Sequence, residues 1–510
     1  MKYDALVIGS GLGGLSCAAY LAKRGYQVLV LEKNNRPGGY AISFRRGDFV
    51  FDASMHMMNG VGIGQNFYFF LEQCGVGERI EFKKLPYFGR IIFPDLDIRL
   101  PSGDLDGLKS VLKNQFPQES MNIDILFDKM TKVYNDIYKF VVSETPLWLQ
   151  MLLSPLRYRA LLLALRKTGA QFINEYLKDD KLKALLFANW AFYGLPPSEL
   201  NISYSVCPNM DYWAMGAYYP VNGNQVVSDA FVEVIKENKG EVLLNSEVAS
   251  IIIEKGKAIG VKTKNGEEYF GENVVSNACA SETFLKLVEE QYLPGRFIRK
   301  MNRMENSLSA FCVYLGLGEG IRGKISNEKE HNIFVLNTYD LDEDYQWCKQ
   351  CEAEKASFII VLNSNVGSSF AGNNKFVMTL AQIQGYEYWG KYQNDYKMGN
   401  KELYNKEKER IASILIKRAE QFIPDISKHI EVSVIATPLT MRRYTNNYKG
   451  ALYGWANVVS QCSPINRMSQ KTPIKNLFLS SAWTFPGGGQ MGVIASGYRL
   501  GRLIYRGGEH

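Results

Sequence analysis

The chain has 510 residues, of which 46% are hydrophobic and 22% are charged. These proportions are typical of a folded globular protein and exclude a mainly disordered chain, while the length favours two domains. The formal net charge of +7 is modest. The basic residues are scattered and form no nucleic-acid motif, so no nucleic-acid partner is predicted. Because the sequence has no run of about 18 uninterrupted apolar residues, it predicts no membrane-spanning helix.

The first forty residues carry the most informative pattern in the chain. A short apolar run, Tyr3–Ile8, predicts a buried strand, and a glycine-rich turn follows it at once. Leu15–Arg24 has the spacing of a helix, and Gln27–Leu31 predicts a second apolar strand that ends at Glu32. This order of strand, glycine turn, helix, strand and acid is the dinucleotide-binding fingerprint in its required context.

The residues of this fingerprint have distinct predicted roles. Gly9 allows a tight turn, Gly11 lets the backbone approach a pyrophosphate, and Gly14 lets the helix pack closely on the strand. The start of the helix offers N–H groups and a partial positive charge to phosphate. Glu32 is expected to accept a hydrogen bond from an adenosine ribose hydroxyl.

Three blocks of the sequence resemble the FAD-dependent family of carotenoid desaturases, carotenoid isomerases and retinol saturases. The first runs from Val7 to Asp52 and includes a second glycine pair, Gly38-Gly39, just past Glu32. The second joins Pro220–Gly223 to the segment 240–278, and the third is 476–501. The resemblance implies that FAD is the cofactor and that the family's architecture covers nearly the whole chain.

The resemblance also implies a second contact region for the flavin. Its glycines, Gly487–Gly489, would let backbone approach the ring, and the helix that follows would aim N–H groups at the pyrimidine end. The residue that matches Val248 contacts adenine in the family. The predicted FAD-binding residues are Gly9, Gly11, Leu12, Gly13, Gly14, Glu32, Lys33, Gly38, Gly39, Val248, Gly488, Gly489, Gln490, Met491, Gly492 and Val493.

The expected fold class is α/β, or α+β overall. A Rossmann-type FAD-binding domain with a parallel sheet and a β-meander is interleaved with a substrate domain of antiparallel sheet plus helices. The expected FAD-binding segments are 1–85, 218–281 and 441–510, and the expected substrate-domain segments are 86–217 and 282–440.

Hydrophobic periodicity places the elements along the chain. The predicted elements are a helix at Phe67–Cys74, a hairpin of Arg90–Pro94 and Asp97–Leu100, helical texture over 104–189, a helix at Gln225–Asn238, strands at Glu241–Leu244, Val248–Ile253, Ala258–Thr263, Glu268–Phe270 and Val274–Ala278, substrate-sheet strands at Phe311–Leu317, Ile333–Asn337, Phe358–Asn363 and Phe376–Gln382, an amphipathic helix at Lys401–Phe422, and a last strand and helix at Leu477–Ser480 and Met491–Ile504.

Candidate catalytic groups are few, because the chain has only four histidines. His56 lies in the turn that passes near the flavin in the resembling family, so it is the catalytic candidate, although a purely positioning role is an open alternative. Four aromatic residues could line an apolar channel or simply belong to the core, namely Tyr212, Trp213, Tyr218 and Tyr219. Cys348 and Cys351 form a lone CxxC without a second pair, which predicts free thiols and no metal site.

The first functional hypothesis is an FAD-dependent oxidoreductase that desaturates, saturates or isomerises carbon–carbon bonds of an apolar isoprenoid, carotenoid-like or retinoid-like substrate. A flavin-containing amine or amino-acid oxidase is the alternative, and a non-catalytic lipid-binding relative on the same fold is the second. Because only one dinucleotide fingerprint occurs, the expected electron acceptor is oxygen, a quinone or a redox protein. The expected location is cytoplasmic, since the first strand begins at Tyr3 and leaves no room for a signal peptide.

The segment 146–167 is the most apolar long stretch of the chain. Pro155 divides it, while Arg157, Arg159, Arg166 and Lys167 make it basic. Apolar bulk together with cations predicts peripheral contact with an anionic membrane. A buried helical hairpin over the substrate domain is the competing interpretation.

Overall fold

The computed structural model describes residues 2–54, 56–143, 145, 147–325, 328–372, 374–463 and 465–507. The strands in chain order are β1 Lys2–Ile8, β2 Val28–Leu31, β3 Ser43–Arg46, β4 Phe49–Asp52, β5 Met58–Asn59, β6 Phe82–Lys84, β7 Tyr87–Phe93, β8 Leu96–Pro101, β9 Ala217–Pro220, β10 Glu241–Leu243, β11 Val248–Glu254, β12 Lys257–Thr263, β13 Glu268–Ser276, β14 Ser309–Leu317, β15 Asn332–Val335, β16 Phe358–Val361, β17 Phe376–Gln384, β18 Ile430–Ala436 and β19 Leu477–Leu479.

The α-helices are α1 Leu12–Ala22, α2 Tyr68–Gln73, α3 Leu105–Gln115, α4 Ser120–Val142, α5 Leu147–Arg157, α6 Arg159–Ala164, α7 Gly169–Asn174, α8 Asp180–Leu186, α9 Ser203–Met210, α10 Gln225–Glu237, α11 Ala280–Glu282, α12 Gly295–Asn302, α13 Arg322–Ile325, α14 Leu341–Gln350, α15 Tyr386–Gly390, α16 Gln393–Lys397, α17 Glu402–Ala419, α18 Pro438–Thr445 and α19 Gln490–Gly507. A π-helical turn, Asp211–Met215, continues directly from α9.

The first sheet has the strand order β10-β2-β1-β13-β12-β11. Strand β19 pairs with the C-terminal end of β13, at Val274–Ser276. Strands β10, β2, β1, β13 and β19 run parallel, and β11, β12 and β13 form the antiparallel meander. The two predicted strands Glu268–Phe270 and Val274–Ala278 are one strand, β13. It stays continuous because β1 pairs with it along its length, from Lys2 opposite Phe270 to Ile8 opposite Ser276.

Helix α1 is buried on all sides, between the first sheet and the last helix. A Cβ added at Gly497 of α19 would lie 2.1 Å from the carbonyl oxygen of Gly13, so the two backbones approach as closely as glycine allows. Ser16 donates its hydroxyl to the carbonyl of Ile494 at 2.8 Å in the same contact. The first and last helices are therefore packed against each other beside the sheet.

The second sheet has the order β18-β14-β17-β16-β15-β7-β8. Its central strands β14 and β17 pair antiparallel over nine positions, and every residue of both is buried, which explains their nearly continuous apolar sequences. The predicted sheet was wholly antiparallel, but β15 pairs parallel with β7, with Ile333 opposite Arg90. The hairpin β7–β8 comes from a distant part of the chain, so no local signal defined its direction.

Helices α3, α4 and α6 to α9 pack on one face of this second sheet, and α17 packs on the other. The bounds of the two predicted domains stay a prediction. In the described ranges, no helix combines the length and the hydropathy that a membrane span requires.

Candidate active site

A cavity of about 980 Å³ runs from the carboxyl ends of β1 and β2 into the helical region. This edge of a parallel sheet is where ligands bind in open α/β folds. Its dinucleotide end is lined by Gly11, Glu32, Val248 and Asn277. Its apolar end is lined by Ile137, Phe140, Leu161, Leu165 and Ile383.

The glycine turn shapes the dinucleotide end. Gly9 follows β1 with a φ of +88°, a conformation that favours glycine. A Cβ at Gly14 would lie 2.4 Å from the carbonyl oxygen of Gly9, so the turn closes tightly against α1. Helix α1 has no side-chain cap at Gly11, and its first N–H groups therefore remain available to an anion.

The carboxylate of Glu32 is buried and already accepts four hydrogen bonds. Oε2 accepts from the Ser10 backbone N–H at 2.9 Å and from the Ser10 hydroxyl at 2.6 Å. Oε1 accepts from the backbone N–H and the side-chain amide of Asn34, both at 2.8 Å. These bonds use the roughly four lone-pair sites of a carboxylate. A ribose hydroxyl can reach Glu32 only by replacing one of the two side-chain donors, both of which can rotate.

The start of α19 forms the facing wall. A Cβ at Gly488 would lie 2.4 Å from the carbonyl oxygen of Tyr453, so glycine is required there. Gln490, the first residue of α19, lines the cavity, and its Oε1 has no hydrogen-bond partner among the described residues. The same holds for Oδ1 of Asn277 at the end of β13.

Two helix N-termini and a glycine-lined backbone thus face one cavity, and two residues of its lining, Gln490 and Asn277, carry buried amide oxygens without a partner among the described residues. FAD carries phosphates, which suit helix N-termini. The residues present therefore fit FAD.

A buried arginine supports this wall from behind. Arg467 is 1% exposed. Its guanidinium donates to the carbonyl oxygens of Ala482 and Thr484 and to the side-chain oxygen of Asn457. No carboxylate forms an ion pair with it in the part of the chain that the structure describes. Arg467 therefore fixes the backbone that leads to Gly488 and leaves a positive charge beneath it.

The structure brings the predicted FAD-binding residues together. All of them line the cavity except Gly14, which lies behind the turn against Gly9. Their contact with FAD stays a prediction.

The sequence left two interpretations open for the four aromatic residues, a channel lining or the core, and the structure divides them. Tyr212 lines the cavity, whereas Trp213, Tyr218 and Tyr219 do not. Trp213 points to the other side of the π-helical turn and packs against Phe127 in the core. Sequence spacing could not separate the two sides, because the π-turn changes the side-chain periodicity.

His56 lies on the cavity wall, with its ring stacked on Phe192 at a centroid distance of 5.9 Å. Burial lowers its pKa to about 4. Its neighbour His331 also has a lowered pKa, about 3, because of burial and the nearby His56. Both imidazoles are therefore neutral at neutral pH. The catalytic role of His56 stays a prediction.

Sequence reasoning missed a carboxyl group in the same wall. Asp211 is fully buried and lines the cavity. Its Oδ1 accepts from the Tyr134 hydroxyl at 2.6 Å, and its Oδ2 accepts from the Asn59 amide at 2.9 Å. Burial raises the pKa of Asp211 to about 7. The sequence signal that could have identified Asp211 is its position as a single acid between apolar Met210 and the aromatic residues Tyr212 and Trp213.

Helices α5 and α6 form a wall of the apolar end with two different faces. The inner face contributes Met151, Tyr158 and Leu161 to the cavity. The outer face exposes Trp148 by 70% and Leu156 by 86%. Pro146, the first residue of the predicted membrane-contacting stretch, lies outside the described residues. The stretch is thus neither wholly core nor wholly surface.

The chain matches known proteins along its whole length. The family model described as flavin containing amine oxidoreductase matches residues 12–369. Prolycopene isomerase of Daucus carota is 27% identical, covering 97% of this chain and 79% of its own length. The 4,4'-diapophytoene desaturase of a Methylomonas species is 25% identical, covering 98% and 94%. All-trans-retinol 13,14-reductase of Rattus norvegicus is 26% identical, covering 99% and 86%.

Solved structures share the fold at lower identity. An oxidoreductase from Methanosarcina mazei has a TM-score of 0.63 and 17% identity, covering 98% of this chain and 99% of its own. Putrescine oxidase bound to putrescine has a TM-score of 0.62 and 12% identity, covering 99% of both chains. The matches confirm the predicted fold class, the predicted resemblance and FAD as the cofactor.

Proposed function

The chain belongs to the flavin-containing amine oxidoreductase family, and from this premise we propose that it acts on carbon–carbon bonds of an apolar isoprenoid polyene. The support from relatives is that three curated proteins, similar over nearly the whole chain, are named for converting prolycopene, diapophytoene and retinol. The proposed reactions are desaturation, saturation or cis–trans isomerisation.

The observation that carries this proposal is the continuity of the cavity. One space joins the glycine turn of α1 to a chamber walled by aliphatic and aromatic side chains from α4, α6, β16 and β17. Such a chamber favours a long hydrocarbon, because burying apolar surface is favourable by about 25 cal/mol per Å².

When bound, FAD exchanges a hydride with the substrate, which is two electrons with one hydrogen. The protein's part is to hold the dinucleotide through Glu32, the start of α1 and the start of α19. The aliphatic side chains of the apolar end orient the polyene and exclude water.

The test uses the purified holoprotein without oxygen. Prolycopene, 4,4'-diapophytoene and all-trans-retinol are added in detergent to oxidised and to photoreduced enzyme, and putrescine is added in parallel. We expect one polyene to be converted, with products separated by chromatography, and putrescine to leave the flavin spectrum unchanged. Rapid bleaching by putrescine with no conversion of any polyene would replace the proposal by amine oxidation.

We further propose that the outer face of α5 and α6 contacts an anionic lipid surface. Leu152 and Leu163 extend the exposed apolar row of Trp148 and Leu156, with exposures of 68% and 54%. Three exposed cations, Arg157, Arg159 and Arg166, adjoin this row. Apolar side chains that enter the acyl boundary beside cations that meet phosphate are the requirements of an interfacial helix.

A second basic element borders the same region. Ile202 donates its backbone N–H to Lys167, which follows α6, and Leu200 bridges to Val458. Ser460 and Asn466, further along the chain from Val458, line both the cavity and a depression that contains four cations of α12 and its C-terminal end. These cations are Arg296, Arg299, Lys300 and Arg303. Positive charge therefore flanks the wall of the apolar end on two elements.

Cosedimentation with phosphatidylserine-containing vesicles tests this contact. The triple variant Arg157→Gln, Arg159→Gln and Arg166→Gln should lose binding at low salt, since each cation contributes about 1 kcal/mol. The matched control replaces three exposed lysines that have no ion pair among the described residues, Lys397, Lys406 and Lys417, by Gln. We expect the control to bind as wild type does. Equal loss in both variants, or no binding by wild type, contradicts the proposal.

We also propose oxygen, a quinone or a redox protein as the electron partner. The support is the single dinucleotide fingerprint of the sequence. Stopped-flow reoxidation of the photoreduced protein by oxygen, a water-soluble quinone and NADPH/NADP⁺ separates these partners. Fast exchange with the nicotinamide alone contradicts the proposal.

A further inference from the structure

We propose that Asp211 is the proton donor and acceptor of this enzyme, acting on the polyene carbon next to the one that exchanges a hydride. The inference deepens the proposed function and rests on it. Neither the fingerprint nor the family model identifies an acid–base group in the apolar end.

The position of Asp211 follows from three elements that meet at the cavity. The residue begins the π-helical turn after α9. Tyr134 of α4 and Asn59 of β5 hold its two oxygens. Each oxygen accepts one hydrogen bond, so each keeps a second position that can carry a proton. Asn59 comes three residues after His56, and both line the cavity, so Asp211 belongs to the same wall as the predicted flavin-proximal turn.

The surroundings of Asp211 keep its carboxyl group exchangeable. The titratable groups that face it are Tyr134 and Tyr138 from α4 and Cys207 and Tyr212 from its own helical segment. Burial raises the pKa of all four above their ordinary values, so all four are neutral at neutral pH. No cation forms an ion pair with Asp211 among the described residues. The raised pKa of about 7 thus reflects burial, offset by the bonds from Tyr134 and Asn59.

Saturation or desaturation of a carbon–carbon bond transfers a proton as well as a hydride, so it needs a group that can give or take that proton. In a saturation, one carbon of the double bond takes the hydride, and the other takes the proton from the Asp211 carboxyl, which becomes a carboxylate. In a desaturation, the carboxylate takes a proton from one carbon, and the neighbouring carbon gives up its hydride to oxidised flavin. The electron pair left by the departing proton becomes the second bond of the alkene. In both directions two hydrogens and two electrons are transferred. Proton exchange with solvent then restores the carboxyl after a saturation and the carboxylate after a desaturation.

The other candidate, His56, suits this step less well. Its pKa of about 4 leaves no proton on the second ring nitrogen at neutral pH. A general acid or base is most efficient when its pKa lies near the working pH. Burial therefore leaves Asp211 the better proton carrier of the two cavity-wall residues, and His56 remains to position the substrate by stacking with Phe192.

The test compares Asp211→Asn with a matched variant, Asp344→Asn. Asp344 is also fully buried, and its oxygens also accept one hydrogen bond each, from Trp190 and Ser357. It does not line the cavity. We expect Asp211→Asn to keep its flavin and its polyene-binding difference spectrum but to lose roughly 100- to 10,000-fold in turnover per flavin, the usual range for a general acid. Asp344→Asn should retain wild-type turnover in whatever fraction folds.

Two further measurements separate chemistry from structure. The hydrogen bond from Tyr134 lowers the pKa of Asp211, so Tyr134→Phe should shift the pH midpoint of turnover upward. In the holoprotein without substrate, an infrared carboxylic acid band should titrate near pH 7 in wild type and in Asp344→Asn but not in Asp211→Asn. Unchanged turnover and pH profile in Asp211→Asn overturn the inference. If wild type converts none of the three polyenes, the proposed function fails instead, and the infrared titration still decides whether Asp211 exchanges a proton.

Discussion

The dinucleotide end and the apolar end of the cavity are built in opposite ways. At the dinucleotide end the contacts are mostly backbone groups, namely glycine turns, helix N-termini and the carbonyl of Tyr453 behind Gly488. At the apolar end they are side chains from many separate elements, with one carboxyl, Asp211, among them. Backbone geometry fixes a ligand that does not vary, whereas side chains can change without altering the fold. The first end therefore defines the cofactor and the second the substrate.

The largest expected effect comes from a glycine of the dinucleotide end. Gly14→Ala places a Cβ 2.4 Å from the Gly9 carbonyl oxygen. Because the Cβ and the carbonyl oxygen are both fixed by the backbone, α1 must move, at a cost of about 1–3 kcal/mol. We expect the purified protein to lose nearly all its flavin, measured by absorbance ratio. Gly372→Ala, where an added Cβ meets no atom within 4 Å, is the control. Normal flavin content in Gly14→Ala would mean that this end tolerates backbone displacement.

At the apolar end, Asp211 makes stability depend on pH. Burial raises its pKa from 3.8 to about 7, so the folded state holds a proton that the unfolded state releases. Its contribution is fully present below pH 3.8 and is lost as the pH rises through 7.

The difference is measurable by urea unfolding at pH 5 and pH 8. Wild type should lose on the order of 3 kcal/mol more than Asp211→Asn over this range. Other buried acids contribute to both proteins and cancel in the comparison. Parallel curves for the two proteins would show that Asp211 is already ionised at pH 5.

A smaller effect is expected at Glu32. Glu32→Ala leaves the buried Ser10 N–H and the partly buried Asn34 N–H without their acceptor, at a cost of about 1–3 kcal/mol. FAD affinity, measured by fluorescence quenching, should weaken about tenfold or more, since about 1.4 kcal/mol is tenfold. Glu32→Gln keeps one acceptor oxygen and should retain part of the affinity. Equal affinity in all three proteins would place the ribose elsewhere.

The smallest effect is expected at His56. His56→Phe keeps a ring against Phe192 and should retain full flavin content, with turnover per flavin changed only severalfold. His56→Ala removes the stacked ring and should lower turnover further. A loss in His56→Phe as large as that in Asp211→Asn would return the acid–base role to His56.

The sequence could predict the dinucleotide end of the cavity but not the apolar end. Gly9 to Glu32 lie within one strand–helix–strand unit, so their spacing alone predicted the dinucleotide end. The groups around Asp211 come from β5, α4 and α9, far apart in the chain, and only tertiary packing brings them together. The parallel pairing of β15 with β7 was missed for the same reason. The separation of Tyr212 from Trp213 depends on a π-helical turn that no composition signal marks.

The pairing of β19 with β13 and of α19 with α1 has a consequence for biosynthesis. A ribosome releases the glycine turn of α1 long before the segment 477–507 that completes the first sheet and supplies the facing wall of the cavity. Until that segment emerges, the outer edge of β13 has no partner at Val274–Ser276, and an unpaired strand edge invites aggregation. Because the predicted FAD-binding residues include the start of α19, we expect flavin capture to be a late event of synthesis and a chain truncated before residue 477 to lose its cofactor.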